Sequence, residues 1–314
     1  MWTLDGLKAC TTKSCYNGRA MIMRGKDFIV NRRSFIKKSI ISFLSLFGIS
    51  GSVYYYSREI EPSLLDIHKE TIQSIRIPES FNEFKILQFS DTHIGFHYTL
   101  EQFEKLVNKI NALKPDIVLF TGDLLDDPSN HSINLDELTK ALSRIESAKG
   151  KYWVYGNHDH GGYGTDLVKD LFDQAEFSLL KNESVLISSE NSYIQLAGLD
   201  DAMLGQPDLA ATLQTEIEGD FFTILMAHEP DMADFTKQYP IDVQLSGHSH
   251  GGQIQVPFYG YIYTPYLAKK YVEGSYLLGE RPLHLFVSRG IGTTRLPYRF
   301  LCKPEITLYT LKHQ

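Results

Sequence analysis

Seven side chains with metal-binding chemistry fall into short motifs along the chain, and each motif directly follows an apolar run. The motifs are Asp91-Thr-His93, Gly122-Asp123, Gly156-Asn157-His158-Asp159, the single His228, and Gly247-His248-Ser-His250. The candidate ligands are Asp91, His93, Asp123, Asn157, His228, His248 and His250. Carboxylate, amide and imidazole groups suit Mn, Fe or Zn and suit Ca or Cu(I) poorly. This set exceeds what one ion normally uses while leaving room for water, so the motifs predict two divalent ions that share a bridging carboxylate.

The apolar runs before these motifs predict the strands that must position them, at 84–89, 117–120, 152–155, 222–226 and 242–246. In open α/β sheets, ligands bind at the carboxyl ends of the strands, where loops converge on one crevice. A glycine precedes Asp123, Asn157 and His248, and it permits the tight turn that brings a short side chain to a common point. We therefore expect the five motifs to meet.

Helical patterns alternate with these strands. Thr99 and Gln102 form a capping box ahead of an apolar stripe that runs to Leu113 and stops before Pro115. A second stripe begins at Leu135, a third helix is predicted at about 165–176, and a fourth near 208–218. Short strands are predicted within 177–199 and near 253–256, 283–288 and 306–311. This alternation predicts one layered α/β domain from about residue 60 to 314.

Charge divides the chain into a basic head and an acidic body. Residues 1–58 carry ten Lys/Arg against two acids, so residues 59–314 carry 21 against 36, a net charge of −15. An acidic body argues against binding to duplex nucleic acid, which needs a Lys/Arg surface. Three cysteines, Cys10, Cys15 and Cys302, are too few for a disulfide framework.

The head has the order of an export signal. Asn31-Arg32-Arg33-Ser34-Phe35-Ile36-Lys37-Lys38 precedes the uncharged run 39–56. The paired arginines resemble a twin-arginine signal, which bacteria use to export folded proteins, and folded export suits a protein that collects its metals beforehand. The alternative is a basic linker before an ordinary signal-anchor helix, and cleavage near Ser50-Gly51-Ser52 stays open. We therefore predict an extension with signal or membrane anchor at 1–58, a catalytic domain at 59–314, and a location at the cell envelope, either membrane-anchored or periplasmic/extracellular.

The motifs, in this order, resemble those of the calcineurin-like metallophosphoesterase family over nearly all of 84–311. The resemblance implies a four-layer α-β-β-α sandwich, with two mixed sheets flanked by helices, that hydrolyses phosphate mono- or diesters with a metal-bridging hydroxide. Manganese is the expected metal, with iron or zinc as alternatives. The extended forms 247–253 and 288–292 are similar to those of an exported or membrane-anchored bacterial branch, which includes enzymes resembling UDP-2,3-diacylglucosamine pyrophosphatases.

The same resemblance implies a role for each residue. Asp91, His93 and His250 would hold one ion, and Asn157, His228 and His248 the other, while Asp123 bridges both and so takes part in catalysis. His158 would donate a proton to the leaving alkoxide or stabilise charge on the phosphoryl oxygens. Asp126 is expected to orient a ligand histidine, with its neighbour Asp127 the chemical alternative and Asp159 a further candidate for such a role.

Three functions remain open on sequence alone: a phosphate-ester hydrolase, a lipid-linked pyrophosphatase at the membrane, and a non-catalytic metal-binding scaffold. A scaffold is expected to lose ligands or His158, and here every position is filled. His97 and His160 lie near enough to the motifs to contact substrate. Arg289 and Arg299 are candidates for neutralising a second phosphate or for surface ion pairs. The aromatic residues of 258–271 are expected to pack in a loop or form a lipid-facing rim, and no oligomeric state is predicted.

Overall fold

The computed structural model describes residues 32–129, 132–160, 165–215 and 217–314, and these divide into two units after Ser50. Cys10, Cys15 and Asn31 lie outside the described residues. The helices are α1 (Arg32–Tyr55), α2 (Leu100–Ala112), α3 (Leu135–Ser143), α4 (Asn157–His160), α5 (Thr165–Gln174), α6 (Leu209–Thr212) and α7 (Ala233–Thr236). The strands are β1 (Asp66–Ser74), β2 (Lys85–Phe89), β3 (Ile117–Phe120), β4 (Lys151–Trp153), β5 (Ser178–Leu179), β6 (Glu183–Ser189), β7 (Ser192–Gly198), β8 (Phe222–Met226), β9 (Val243–Ser246), β10 (Gln255–Val256), β11 (Gly260–Tyr261), β12 (Gly274–Leu278), β13 (Leu283–Val287) and β14 (Glu305–His313).

Helix α1 is an apolar helix of 24 residues, and none of its side chains is buried. By length and composition it is able to cross a membrane, a test that signal sequences also pass. It carries Arg32 and Arg33 in its first turn.

The second unit contains two six-stranded mixed sheets. Sheet I has the order β1-β14-β2-β3-β4-β5, and sheet II has the order β12-β13-β9-β8-β7-β6. In sheet I, β2 to β5 run parallel and β14 is antiparallel to β2. In sheet II, β13, β9, β8 and β7 run parallel, and β12 and β6 are antiparallel edge strands. The strands predicted before the motifs are confirmed as β2, β3, β4, β8 and β9, within two residues of their predicted bounds.

Three apolar cores produce the layers. Between the sheets, side chains of sheet I such as Ile86 and Ile117 pack in one cluster with Ile224 and Leu245 of sheet II. The outer face of sheet I packs against α2, α3 and α5, while the outer face of sheet II packs beneath the short helices α6 and α7. Both faces of the central strands are therefore buried, which explains their continuous apolar runs. The predicted four-layer α-β-β-α sandwich is confirmed.

Two details differ from the sequence analysis. The helix predicted near 208–218 is only the four residues of α6. Leu209 and Leu213 pack against the core of sheet II, but Ile217 is 49% exposed, so nothing buries a further turn. Strand β1 was not predicted, because it forms the edge of sheet I and buries only Ile72 among its nine residues. The capping box at Thr99 is confirmed, since Gln102 N donates to Thr99 Oγ1 and Thr99 N to Gln102 Oε1.

Within the second unit, the end of α1 and the residues that follow it pack against residues 298–302. The rings of Tyr54 and Tyr298 lie 5.7 Å apart, and Arg299 N donates to Ser57 O at 2.8 Å. The Glu61 carboxylate is buried and accepts a hydrogen bond from Cys302 N, while Cys302 itself is a buried free thiol. These contacts join the end of α1 to residues 298–302.

Candidate metal centre

The predicted ligands come from both sheets, always just beyond a strand's carboxyl end. Asp91 and His93 follow β2, Asp123 follows β3 and Asn157 follows β4, all in sheet I. His228 follows β8, and His248 and His250 follow β9, in sheet II. A single crevice at the strand ends was predicted. In the structure, strand ends of both sheets contribute to it.

Three groups of these side chains place ligand atoms within 4.8 Å of one another. They are Asp91, His93 and His250; His93, Asp123 and His158; and Asp123, His228 and His248. The first and third groups have no member in common, and Asp123 lies close to both, because its Oδ2 is 3.5 Å from His93 Nε2 and 3.2 Å from His228 Nε2. Two adjacent cation sites are thus available, with one carboxylate between them.

Two of the imidazoles, those of His228 and His248, are held in the way metal-binding histidines usually are, with one ring nitrogen fixed and the other left for a cation. His228 Nδ1 donates to Thr121 O at 2.6 Å, and His248 Nε2 donates to Tyr266 O at 2.8 Å. His93 Nδ1 lies 3.2 Å from Asp126 Oδ1. The residues present therefore fit two divalent cations.

Asn157 begins α4 and is flanked by two residues that contact Asp123. A Cβ on Gly156 would lie 2.3 Å from Asp123 Oδ1, and His158 N donates to the same oxygen at 2.8 Å. Asn157 Oδ1 is buried, and among the residues that the structure describes it has no hydrogen-bond partner. A buried amide oxygen in this state is unfavourable unless a cation pairs with it.

Electrostatics within the centre favour an ionised Asp123 and neutral imidazoles at His248 and His250, whereas at His228 burial is outweighed by Asp123, so the pKa of His228 is raised well above its ordinary value. Burial raises the pKa of Asp123, but the nearby His228 and His158 outweigh it and hold the pKa well below its ordinary value. Burial, together with His228, lowers the pKa of His248 to about 4. Burial and the neighbouring His93 likewise lower the pKa of His250. Neutral imidazole and ionised carboxylate are the forms that bind metals.

The backbone is strained where the ligands cluster. Asp91, His93, Asp123, His248 and His250 all have positive φ, between 42° and 65°. Non-glycine residues seldom adopt this region, and each costs on the order of 1–3 kcal/mol. Such strain persists only where the surrounding structure enforces it, and it concentrates at functional sites.

Gly247 shows why glycine precedes a ligand. A Cβ there would lie 2.1 Å from Ser90 Oγ and 2.3 Å from Asp91 Oδ2. The next residue, His248, donates its backbone N–H to the Asp91 carboxylate at 3.0 Å. Any larger side chain at position 247 would therefore push the β9 loop away from Asp91.

His158 lies beside the two cation sites. Its Nδ1 donates to Asp126 O at 2.6 Å, and its ring stands edge-on to that of His93, with centroids 4.5 Å apart. Burial lowers the pKa of His158, but Asp123 outweighs it, so the pKa is raised overall. The ring is half-buried and reaches the edge of the centre.

The three acidic residues considered for orienting a ligand histidine make different contacts. Asp126 approaches His93 as expected, whereas Asp127 bonds Ser129 N and Oγ in its own loop. Asp159 is fully buried and accepts the backbone N–H groups of Asp123, Leu124 and Gly156, so it ties two loops together instead of orienting a histidine. Burial, then Asp123, raises the pKa of Asp159 to about 6.

Three residues considered as substrate or phosphate contacts interact with other protein groups in the structure. His160 Nε2 bonds Asp200 Oδ1 at 2.7 Å. Arg289 forms ion pairs with Glu305 and Asp66. Arg299 is neither a phosphate ligand nor a surface residue, since its buried guanidinium donates to the carbonyl oxygens of Gly292, Cys302 and Arg289.

Sequence reasoning missed the carbonyl oxygens of Thr121 and Tyr266, which fix two of the histidines. Every residue has a carbonyl group, so no residue type could have indicated them. It also missed Glu229, next to His228, which is buried and accepts Ala202 N at 3.1 Å. The signal available in the sequence was a carboxylate directly after a candidate metal ligand.

Comparison with known proteins decides the family. A family model for calcineurin-like phosphoesterases matches residues 84–252. The chain belongs to the calcineurin-like phosphoesterase family. It is a metal-dependent phosphoester hydrolase, and its His/Asp clusters indicate a binuclear divalent metal site.

Relatives extend the likeness beyond that segment. An uncharacterized metallophosphoesterase of Bacillus subtilis, YkuE, is 44% identical over 90% of this chain and 98% of its own. The phosphodiesterase YaeI of Escherichia coli is 27% identical over 90% of this chain and all of its own. A bovine transmembrane protein with a metallophosphoesterase domain is 32% identical over 76% of this chain and 55% of its own.

The contact between Asp126 and His93 yields a matched pair of variants. Asp126→Asn is expected to lower kcat/KM by about 10–100-fold, because a carboxylate that orients a metal-binding histidine typically contributes this much. Asp127→Asn, one residue away and turned towards Ser129, should change it less than about twofold. Steady-state kinetics with bis-p-nitrophenyl phosphate tests both, and equal losses would contradict the assignment.

Proposed function

We propose that this chain hydrolyses phosphate mono- or diesters at a binuclear centre in which each residue has the role implied by the resemblance. Asp91, His93 and His250 hold one ion, and Asn157, His228 and His248 hold the other. Asp123 bridges them. The single observation that carries the proposal is that two separate groups each place their ligand atoms within 4.8 Å of one another, and that Asp123, a member of one group, lies 3.5 Å from His93 of the other.

The protein's own groups prepare the site. When bound, two divalent ions lower the pKa of a water molecule and stabilise the charge on the phosphoryl oxygens. Thr121 O and Tyr266 O select the tautomers of His228 and His248, so that one nitrogen of each ring is free to bind. His158 donates from Nδ1 to Asp126 O, which leaves Nε2 to give a proton to the leaving alkoxide. Manganese is the proposed metal, with iron or zinc as alternatives.

Hydrolysis of bis-p-nitrophenyl phosphate by the full-length chain tests this function. The chain is stripped with a chelator and then assayed with Mn²⁺, Fe²⁺ or Zn²⁺. We expect activity only after metal is restored. No turnover with any of the three ions, although the ions bind, would instead support the non-catalytic scaffold.

A second candidate substrate is a lipid-linked pyrophosphate, as in UDP-2,3-diacylglucosamine hydrolysis at the membrane. Its support is coarse: α1 is able to cross a membrane, and the bovine relative is named a transmembrane protein. If this candidate is right, UMP release from the lipid substrate should be far faster than hydrolysis of bis-p-nitrophenyl phosphate. The opposite ranking would count against it.

For location, we propose membrane anchoring or export through the twin-arginine route, with residues 1–58 as the targeting segment and 59–314 as the catalytic domain. The double variant Arg32→Lys and Arg33→Lys is expected to leave the protein in the cytoplasm, because that route depends on the paired arginines. Cell fractionation and immunoblotting measure this. Lys37→Arg with Lys38→Arg keeps the same charge and serves as the control, and unchanged export of the first variant would contradict the route.

A further inference from the structure

A cavity of about 390 Å³ opens beside the candidate metal centre, between two loops. One wall comes from residues 249–265 and the other from residues 294–296. His250 lines the cavity and also belongs to the ligand group of Asp91 and His93. A ligand in the cavity would therefore adjoin a phosphate bound at the centre.

The exposed surface of the lining is mainly apolar. Ile254, Ile262, Pro265 and Leu296 contribute to it, and Ile262 and Leu296 remain 60% and 52% exposed. Cavities of roughly 300–1,000 Å³ with mostly apolar walls and a few polar groups are typical ligand sites. Covering these side chains with an apolar group would remove them from water, which favours an apolar occupant.

The two walls are fixed to each other before any ligand binds. Gln253 Nε2 donates to Thr294 O at 3.0 Å, and Thr294 N donates to Gln253 Oε1 at 2.7 Å. Gln253 and Arg295 both have positive φ, of 54° and 62°, so each wall contains a strained residue. A preformed cavity binds with a smaller loss of conformational entropy.

Charge at the rim favours an anionic partner for the apolar group. The Arg295 guanidinium is exposed and lies 5.1 Å from the centre of the Tyr263 ring, which also lines the cavity. The occupant best matched to this wall is therefore amphiphilic, with an apolar chain attached to a phosphate.

The surroundings of the cavity indicate where such a molecule would come from. Phe258 is fully exposed and Tyr259 is 78% exposed, both in the turn between β10 and β11. Tyr298, two residues after Leu296, contacts Tyr54 in the last turn of α1. Aromatic side chains of this kind are enriched at membrane surfaces. Both walls thus continue into aromatic surface within the second unit, one at Phe258 and Tyr259 and the other at Tyr298 and Tyr54.

We propose that this cavity binds the alkyl chain of a lipid phosphoester whose phosphate lies at the metal centre. The inference rests on the proposed phosphoesterase function and adds the class of substrate. The cavity selects for the chain, and the centre hydrolyses the ester bond by adding water across it, giving an alcohol and a phosphate.

Two p-nitrophenyl phosphodiesters, one dodecyl and one methyl, test the proposal with the full-length chain in nonionic detergent. The wild type is expected to favour the dodecyl ester in kcat/KM. Ile262→Asp and Leu296→Asp, one in each wall, should reduce that preference about tenfold, because each places a charge against the chain. Leu277→Asp, an exposed leucine of β12, is the matched control and should keep the preference. Partition into detergent is the same for all variants and cancels in the comparison.

A binding measurement distinguishes failure of the lipid subsite from failure of the phosphoesterase function. Calorimetry with dodecyl phosphate should give a dissociation constant about tenfold higher in each cavity variant than in the wild type or Leu277→Asp. Equal kcat/KM for both esters in the wild type, or an undiminished preference for the dodecyl ester in both cavity variants, would overturn the lipid subsite while phosphoesterase activity stands. Absence of hydrolysis with intact, variant-sensitive dodecyl phosphate binding would overturn the proposed function and support the subsite.

Discussion

Asp123→Asn is expected to lower kcat/KM for phosphate diesters by about 10³-fold, because loss of the carboxylate weakens the binding of cations that contribute several kcal/mol to stabilising the transition state. The Asp123 carboxylate belongs to one ligand group and lies 3.5 Å from His93 of the other, and an amide of the same shape would carry no negative charge to hold two cations together. Kinetics with bis-p-nitrophenyl phosphate and the metal content of the purified variant measure the effect.

The exposed Asp136 of α3 supplies the matched control, since Asp136→Asn removes the same charge at a position outside the ligand groups. It should retain wild-type activity. Near-normal activity in Asp123→Asn would remove this residue from the bridging position.

His158→Gln is expected to lower kcat by about 10²–10⁴-fold on substrates with an alkoxide leaving group, the range contributed by general acid–base catalysis. The loss should be much smaller when p-nitrophenolate leaves, because that anion needs no proton. KM should change little, because His158 is not one of the proposed metal ligands. Its ring is held beside them by a hydrogen bond to Asp126 O. Paired measurements with alkyl and p-nitrophenyl esters give the comparison.

His284→Gln, on the exposed face of β13, is the control for this variant and should leave both rates unchanged. Equal losses of His158→Gln on the two leaving groups would contradict proton donation. That result would favour the alternative role, in which His158 stabilises charge on the phosphoryl oxygens.

The strands and the convergence of the motifs were predictable because of burial. Strands β2, β3, β8 and β9 are buried on both faces, so their sequences are unbroken apolar runs, and each run ends at a motif. The edge strand β1 lacked such a run, and α6 ended early because Ile217 finds no packing partner in the core. The presence of β1 and the early end of α6 both depend on tertiary packing, which no local sequence pattern indicates.

Within the site, the residue types predicted which side chains approach one another. They did not predict the backbone conformation at those residues. The positive φ values at Asp91, Asp123 and His248 follow from the tight turns at the carboxyl ends of β2, β3 and β9, and not from the preferences of those residues. The choice between Asp126 and Asp127 was chemically even on sequence, and only the fold turns Asp126 towards His93.

The most direct test of the central claim is the number of metal equivalents that restore activity. The full-length chain is stripped with a chelator, and hydrolysis of bis-p-nitrophenyl phosphate is followed as Mn²⁺ is titrated, with bound metal measured by atomic spectroscopy. Two ligand groups, one containing Asp123 and the other reaching it through His93, predict that activity rises to a plateau at two bound ions per chain. Full activity with one ion per chain, or with none, would contradict the binuclear centre.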